Sequence, residues 1–301
     1  MASGAEVCPM CSRPALTGWR RVRGMSLSRC PGCGFAWFPR SLYRGRPIEA
    51  QYVEDETSPA EYYRTVEPFD RETFAIRMRL IASMTGRPAG RVLDIGCNVG
   101  TFLSAAARAG WRAVGVEPNR RAAALAEQRG FEVHRGLFDE SLAAGLGEFD
   151  AVHAGDVIEH MFAPVEFLAR VREVLRPGGL LVIVTPDIDS ALGRLLQIKP
   201  DEHLVYFTTE SLGRAAHLAG FRDAVVERWA RRRSISAMRH STTFSPRVRW
   251  AIRLLDVPGA RGLLERLLYR LFPDELLLTA FCPVADTRAP GLLAAVRDRP
   301  R

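Results

Sequence analysis

Three groups of residues in this sequence have types and spacings that could do chemistry. The first is the run Val92-Leu93-Asp94-Ile95-Gly96-Cys97-Asn98-Val99-Gly100, a glycine-bearing turn after an apolar run. Glycines in such a turn let backbone N–H groups approach a ligand closely. Glu117 follows 21 residues after Gly96, at the end of the next apolar run. A carboxylate at that place can accept both hydroxyls of a ribose. Taken alone, a Gly-x-x-x-Gly turn fits any nucleotide-binding α/β protein. The Gly-x-Gly-x-x-Gly spacing of dinucleotide binders is absent, which disfavours NAD.

The second group is four cysteines, Cys8-Pro-Met-Cys11 and Cys30-Pro-Gly-Cys33, with eighteen residues between the pairs. Two-residue gaps let both thiolates of a knuckle converge on one tetrahedral ion, and the intervening loop brings the knuckles together. Four ligands close the shell, so the expected ion is a structural zinc. A pair of redox dithiols is the competing reading. Pro9, Pro31 and Gly32 supply turn chemistry. The other two cysteines, Cys97 and Cys282, read as small buried residues.

The third group is Asp156, Glu159, His160 and His203. The first three follow the fourth apolar strand, at the edge of the sheet where ligands bind in such folds. His203 falls after the fifth, in His203-Leu-Val-Tyr206-Phe207-Thr208. Either histidine could take a proton near neutral pH. A Glu159-His160 pair that merely braces its loop is the plainer reading. His134, His153, His217 and His240 have no comparable context.

Alternating strands and helices must position these groups. Strands are expected at Arg91–Ile95, Ala113–Val116, Phe131–Arg135, Phe149–His153, Leu180–Val184, Phe221–Trp229 and Glu275–Val284. Helices are expected at Thr101–Ala109, Arg120–Gln128, Pro164–Leu175 and Thr209–Leu218. This is an α/β pattern: a Rossmann-like, seven-stranded, mostly parallel sheet flanked by helices. Residues 1–40 form the ribbon and 41–88 a helical connector. The connector carries Tyr52, Tyr62 and Tyr63, an N-cap signal at Thr57-Ser58-Pro59, and a second helix from near Asp70 with Phe74, Met78 and Ile81 on one face. Residues 89–285 make the main domain, with a helical insertion at about 246–272, and 286–301 a flexible tail. The insertion's stripes, Val248, Ala251, Ile252 and Leu255, then Leu263, Leu264, Leu267, Leu268 and Leu271, either pack on a core or lie in a membrane interface.

The chain has 301 residues, 47% hydrophobic and 25% charged, with a formal charge of +8. Lys199 is the only lysine, so the cations are arginines, clustered only at Arg20–Arg23 and Arg231–Arg233. A basic surface favours RNA, a nucleotide-linked substrate or an anionic membrane; a solvated arginine-rich surface is the alternative. No apolar run reaches membrane-spanning length and no charged-then-apolar leader opens the chain, so a cytoplasmic protein is expected.

The sequence resembles the class I S-adenosylmethionine-dependent methyltransferases over roughly residues 90–285. The likeness lies in Val92–Gly100, Gly115-Val116-Glu117-Pro118, Phe149-Asp150, Asp156-Val157-Ile158-Glu159-His160 and Leu175-Arg176-Pro177-Gly178-Gly179. The resemblance implies S-adenosylmethionine as cofactor, with Asp94, Gly96 and Gly100 around its methionyl part, Glu117 at the ribose, and Cys97, Asn98 and Pro118 also among the cofactor-binding residues. It places Leu137 or Phe138 near adenine and Gly155 beside the cofactor. The family's frequent Gly-x-Gly-x-Gly is here Gly-Cys-Asn-Val-Gly.

The N-terminal region is similar to the zinc ribbon of methyltransferases from bacterial glycan and natural-product gene clusters, where the second knuckle also runs into an aromatic strand (Phe35-Ala-Trp-Phe-Pro39). Asp156, Glu159, His160 and His203 resemble the divalent-cation set of small-RNA 2′-O-methyltransferases and ubiquinone-pathway O-methyltransferases, with Asp where Glu is usual. The resulting expectation is O-methylation of a sugar or other small hydroxylated metabolite, nucleotide- or lipid-linked, with His160, His203 and Asp156 at the acceptor. Ribose methylation of RNA is an alternative, as is a non-catalytic zinc-ribbon interaction protein. No Asn/Asp-Pro-Pro-aromatic motif for exocyclic amines appears, since the fifth strand ends Thr185-Pro186-Asp187. No Pro-Cys nucleophile appears either, since Cys282 precedes its proline.

Overall fold

The computed structural model describes residues 7–43, 60–196, 198–230 and 273–284. The expected insertion, the tail, Thr57-Ser58-Pro59, Tyr52, Arg231–Arg233 and His240 lie outside them. The described chain opens with β1 (Leu16–Val22), β2 (Met25–Arg29) and β3 (Ala36–Trp37), and then α1 (Ala60–Thr85). It continues through β4 (Arg91–Ile95), α2 (Thr101–Arg108), β5 (Arg112–Glu117), α3 (Arg120–Gln128), β6 (Glu132–Arg135), α4 (Glu140–Leu146) and β7 (Phe149–Gly155). After α5 (Pro164–Glu173) come β8 (Leu175–Pro186), α6 (Ala191–Leu196), β9 (Val205–Tyr206), α7 (Thr209–Leu218), β10 (Arg222–Trp229) and β11 (Glu275–Phe281).

Seven strands form one sheet in the order β10-β11-β8-β7-β4-β5-β6. From β8 through β6 all neighbours are parallel, and β11 runs antiparallel to both β8 and β10. Alternation along each strand sends side chains to opposite faces. Val92 meets Met78 and Ile81 of α1 and Phe102, Ala105 and Ala106 of α2 in one buried cluster. Leu93 and Ile95 join the other, with Ala143 and Leu146 of α4, Phe167, Leu168 and Val171 of α5, and Leu212 and Ala215 of α7. The chain builds outward from β4 to β6, then returns to place β7 on the other side of β4. Ligands of open parallel sheets bind at such a reversal, beyond the strands' carboxyl ends.

A second sheet has the order β1-β2-β3-β9. Its last strand comes from the main domain: Ala36 pairs with Tyr206 and Trp37 with Val205. Leu27, Ala36, Phe38, Ile188 and Tyr206 form its own small core.

The structure departs from the expected elements in three places. The connector helix is continuous from Ala60 through Pro68, which lies inside it. A proline there removes an N–H and crowds the preceding turn, but Glu67 is tied to Arg129 of the α3 terminus at 2.8 Å, and Met78 and Ile81 anchor the helix to the sheet. The Arg-Pro-Gly-Gly stretch is part of β8, because Leu175 already pairs with Phe149. Helices α4 and α6 and strands β1, β2 and β9 are additional to the expected elements.

Candidate functional site

The turn after β4 is built on β5. The N–H groups of Gly96 and Cys97 both donate to the Val116 carbonyl, at 2.8 and 3.1 Å. Gly96 has φ 75°, and a Cβ there would stand 2.7 Å from Val157 Cγ2, so both backbone shape and space demand glycine. Asn98 has φ 50°, a left-handed conformation that asparagine tolerates. That twist aims its N–H at Glu117 Oε2, 2.8 Å away, while Asn119 N–H donates to Oε1 at 2.8 Å. Glu117 is buried. Burial pushes its carboxyl up to about 7, against the lowering effect of the two amides, and the Asp94 carboxylate adds to the rise. Each carboxylate oxygen retains a second acceptor site. The buried Asn98 Oδ1 has no hydrogen-bond partner among the described residues.

Asp94 and His153 are register partners on β4 and β7 and bond through Oδ1 and Nδ1 at 2.7 Å. His153 Nε2 is 3.1 Å from Arg77 Nη1, and Arg77 Nη2 is 3.6 Å from Glu275 Oε2. All four side chains are buried. A guanidinium only donates, so Nε2 accepts and Nδ1 carries the proton given to Asp94. Burial pushes the imidazole below its ordinary range, against the pull of Asp94, consistent with this neutral tautomer. The ring lies flat on Phe102, centroids 4.1 Å apart. His153, expected to have no special context, is therefore the link between Asp94 and a cation on α1. Arg77 reaches the carboxyl end of β7: a Cβ on Gly155 would be 3.1 Å from Arg77 Nη1. No local motif marks Arg77 or His153.

The other positions named for the cofactor divide. Pro118 precedes Asn119, whose side chain caps α3 by accepting from Ala122 N–H at 3.0 Å. Gly100 directly precedes α2. The Cys97 thiol is turned into the sheet against Gly115, and burial raises its pKa. Leu137 is half-buried just beyond Gly136, whose N–H donates to the Glu117 carbonyl at 3.0 Å. Phe138 instead packs edge-on against Phe167, centroids 6.1 Å apart, inside the core.

Beyond the carboxyl ends of β7 and β8, ligand atoms of Glu159, His160 and His203 lie within 4.8 Å of one another. Glu159 is buried; its Oε2 accepts from Thr185 Oγ1 at 2.9 Å, while Oε1 has no partner among the described residues. His160 Nδ1 is 2.7 Å from the Glu202 carbonyl. It must carry the proton, which leaves the lone pair of the neutral ring on Nε2. The two imidazoles meet edge to face, 5.0 Å between centroids. Asp156 is exposed at the end of β7, with φ 55°, and is not part of this convergent set. Glu159 stands there instead. The buried, half-unpaired carboxylate and two imidazoles are a donor set that fits a divalent cation.

The four knuckle cysteines also converge, their sulfurs within 4.8 Å of one another. Cys8 and Cys33 sulfurs are 3.6 Å apart and those of Cys11 and Cys30 are 3.3 Å apart, and none forms a disulfide. Tetrahedral zinc with bonds of about 2.3 Å implies sulfurs about 3.8 Å apart, so the set fits that ion. Met10 N–H points at Cys8 Sγ at 3.4 Å and Gly32 N–H at Cys30 Sγ at 3.3 Å, a pattern that supports thiolates. Burial raises the Cys30 thiol, but the Cys33 amide and the other donors bring it down to about 7. Burial drives Cys33 up to about 11 and Cys8 higher still.

Residues 67–226, more than half the chain, match the methyltransferase domain family. A ubiquinone biosynthesis O-methyltransferase of Roseobacter denitrificans is 39% identical over 100 residues, which cover 32% of this chain and 40% of that protein. An uncharacterized 37.1 kDa protein in transposon TN4556 of Streptomyces fradiae is 28% identical over 192 residues, covering 60% of this chain and 50% of that one. The match thus spans half or less of these curated relatives' length. Among solved structures, an S-adenosylmethionine-dependent methyltransferase from Archaeoglobus fulgidus superposes with TM-score 0.52 at 26% identity, over 73% of this chain and 99% of that one.

Proposed function

Since the chain belongs to the methyltransferase domain family, we propose that it moves the methyl group of S-adenosylmethionine to a hydroxyl of a small metabolite, a sugar or natural-product acceptor. The observation that carries this reading is the convergence of Glu159, His160 and His203 at the carboxyl edge of the sheet that also bears the Gly96 turn and Glu117. The O-methyltransferase named among the relatives supports a hydroxyl acceptor.

In this reading Glu117 receives the ribose hydroxyls, with Pro118 beside them. Gly96, Cys97 and Gly100 contribute backbone to the cradle. Asp94, fixed by His153, and Asn98 Oδ1 face the methionyl end, and Leu137 borders adenine. The cofactor supplies an electrophilic methyl on a sulfonium. Transfer is an in-line displacement, so positioning provides much of the rate, and the hydroxyl must lose its proton. His160 Nε2 takes that proton, while the Glu202 carbonyl at Nδ1 fixes the ring and His203 packs against it; Asp156, at the mouth, adds negative potential. A divalent cation at the same three side chains would lower the hydroxyl's pKa. Cys8, Cys11, Cys30 and Cys33 hold a structural zinc.

Release of S-adenosylhomocysteine with a panel of hydroxylated sugars and phenols tests the proposal. His160→Ala and His203→Ala should lose about 100- to 10,000-fold in turnover, with cofactor affinity unchanged by calorimetry. Chelator followed by magnesium or manganese distinguishes the cation from the bare base. Full turnover in both variants, with and without chelator, would reject the assignment of these residues.

A further inference from the structure

We propose that the cysteine ribbon is a positioning device for the acceptor side: its zinc holds β3 in place, β3 holds β9, and β9 sets His203 against Glu159 and His160. The proposal rests on the readings that the four thiolates bind zinc and that the three-residue cluster faces the acceptor.

Leu204, next to His203, joins the two parts through its own backbone. Its carbonyl accepts from Phe38 N–H of the ribbon at 3.0 Å, and its N–H donates to the Glu159 carbonyl at 2.9 Å. The following residues, Val205 and Tyr206, pair with Trp37 and Ala36, and β9 has no other strand beside it in the sheet order, while its flanks are tied to the main domain by Ile188 N–H to the Phe207 carbonyl and His203 N–H to the Lys199 carbonyl. A two-residue strand has no stability apart from its partner.

Both knuckles are gripped from the main domain. Thr208 Oγ1 donates to the carbonyl of Cys33 at 2.9 Å, and Arg214 Nε donates to the carbonyl of Met10 at 2.7 Å. The approach at Thr208 is close enough to need glycine opposite: Gly34 has φ 72°, and a Cβ there would lie 2.6 Å from Thr208 Cγ2. Arg29 adds an ion pair to Asp189 at 2.6 Å. Cys8, Met10, Cys30, Cys33 and Phe35 belong to the same buried cluster as Leu204, Val205 and Phe207. The cofactor turn has none of these links, since its bonds run to Val116 and Glu117.

The ribbon is too small to be held by an apolar core alone, so metal loss should release β3. The segment around His203 then loses its template while the cofactor turn keeps its own. Hydrogen–deuterium exchange on the full chain reads this without any acceptor. Metal analysis first establishes that the purified chain carries zinc. Stripping that zinc under reducing conditions should speed exchange of the 203–207 amides by at least about tenfold, and leave the amides of 91–117 unchanged. A zinc-loaded Arg29→Ala/Arg214→Ala variant, which loosens the dock without touching the thiolates, should show the same local acceleration.

Equal protection of 203–207 in loaded and stripped protein overturns the coupling while leaving zinc binding intact. Uniform acceleration that includes 91–117 also overturns it, by making the ribbon a general stabiliser. A wild-type chain without zinc removes both the zinc reading and this inference, whatever the acceptor cluster does.

Discussion

Glu117 carries opposite demands from folding and from binding. In the cofactor-free protein its carboxyl sits at about 7 because it is buried, well above an ordinary glutamate. Its contribution to stability is therefore complete at acid pH and is lost as pH rises through about 7, where the buried group must ionise. Ribose hydroxyls need the ionised form as acceptor, each charge-assisted bond contributing about 1.5–3 kcal/mol. Affinity for S-adenosylmethionine should therefore climb as pH is raised from about 6 to 8 and level off above that. Glu117→Gln should weaken binding at pH 8 by at least about tenfold and flatten the slope. Calorimetric titrations across that range that are flat for the wild type, or equal for the two proteins, would remove Glu117 from the ribose site. This residue was legible in the sequence because the glycine turn and the strand after it fix where a carboxylate must fall. His153 was not, because its role comes from a register partner 59 residues away and a guanidinium on α1, and neither leaves a mark in its local sequence. Glu159 was legible as part of a set, but only the fold decides that it, and not Asp156, converges with the two histidines.

At the scale of elements, α1 is more than a connector. It lays Phe74, Met78 and Ile81 on the sheet and inserts Arg77 between His153 and Glu275, both buried. Breaking a buried ionic set by removing one partner typically costs about 3–5 kcal/mol, whereas replacing the set with apolar side chains is often neutral. Arg77→Met should thus destabilise the protein by about that amount, and Arg77→Met/Glu275→Leu by clearly less. Denaturant melts of the two variants decide it; a double variant no better than the single would mean that Arg77 acts through packing alone. The apolar stripe of α1 was readable, but its length was not, since Pro68 argues for a break that the contacts at Glu67 override. Strands β4 and β5 stood out as apolar runs closed by turn residues. Helix α4 had a usable signal in Asp139, which caps it by accepting from Leu142 N–H at 2.8 Å. Strand β9 had none: two residues become a strand only because β3, far away in sequence, lies beside them.

Across the whole molecule, the ribbon and the methyltransferase sheet share one buried cluster, so the metal should influence more than its own loops. Among the described residues no helix is long and apolar enough to cross a membrane, and many described arginines are spent within the fold, as at Arg29–Asp189, Arg77–Glu275 and Arg129–Glu67. The +8 charge is thus weak support for a nucleic-acid partner. The sequence showed the cysteine spacing plainly but could not show where the ribbon docks, since that depends on the backbone carbonyls of Cys33 and Met10 meeting Thr208 and Arg214, and on Phe38 meeting Leu204, all far apart in sequence. If the four thiolates hold zinc, purified protein should contain about one zinc per chain, and Cys8→Ser or Cys30→Ser should lose it. An ion bound only by the folded state stabilises it by about 2.7 kcal/mol at a free concentration one hundred times its Kd. That stabilisation belongs to the ribbon and to the 203–207 segment docked on it, so stripping should add an early transition and leave the main one in place. Calorimetric scans of zinc-loaded, zinc-stripped and Cys30→Ser protein test this together with the metal count. A stripped protein with no early transition, or with its main transition lowered, would show that the metal's stabilisation is not confined to the ribbon and the segment docked on it.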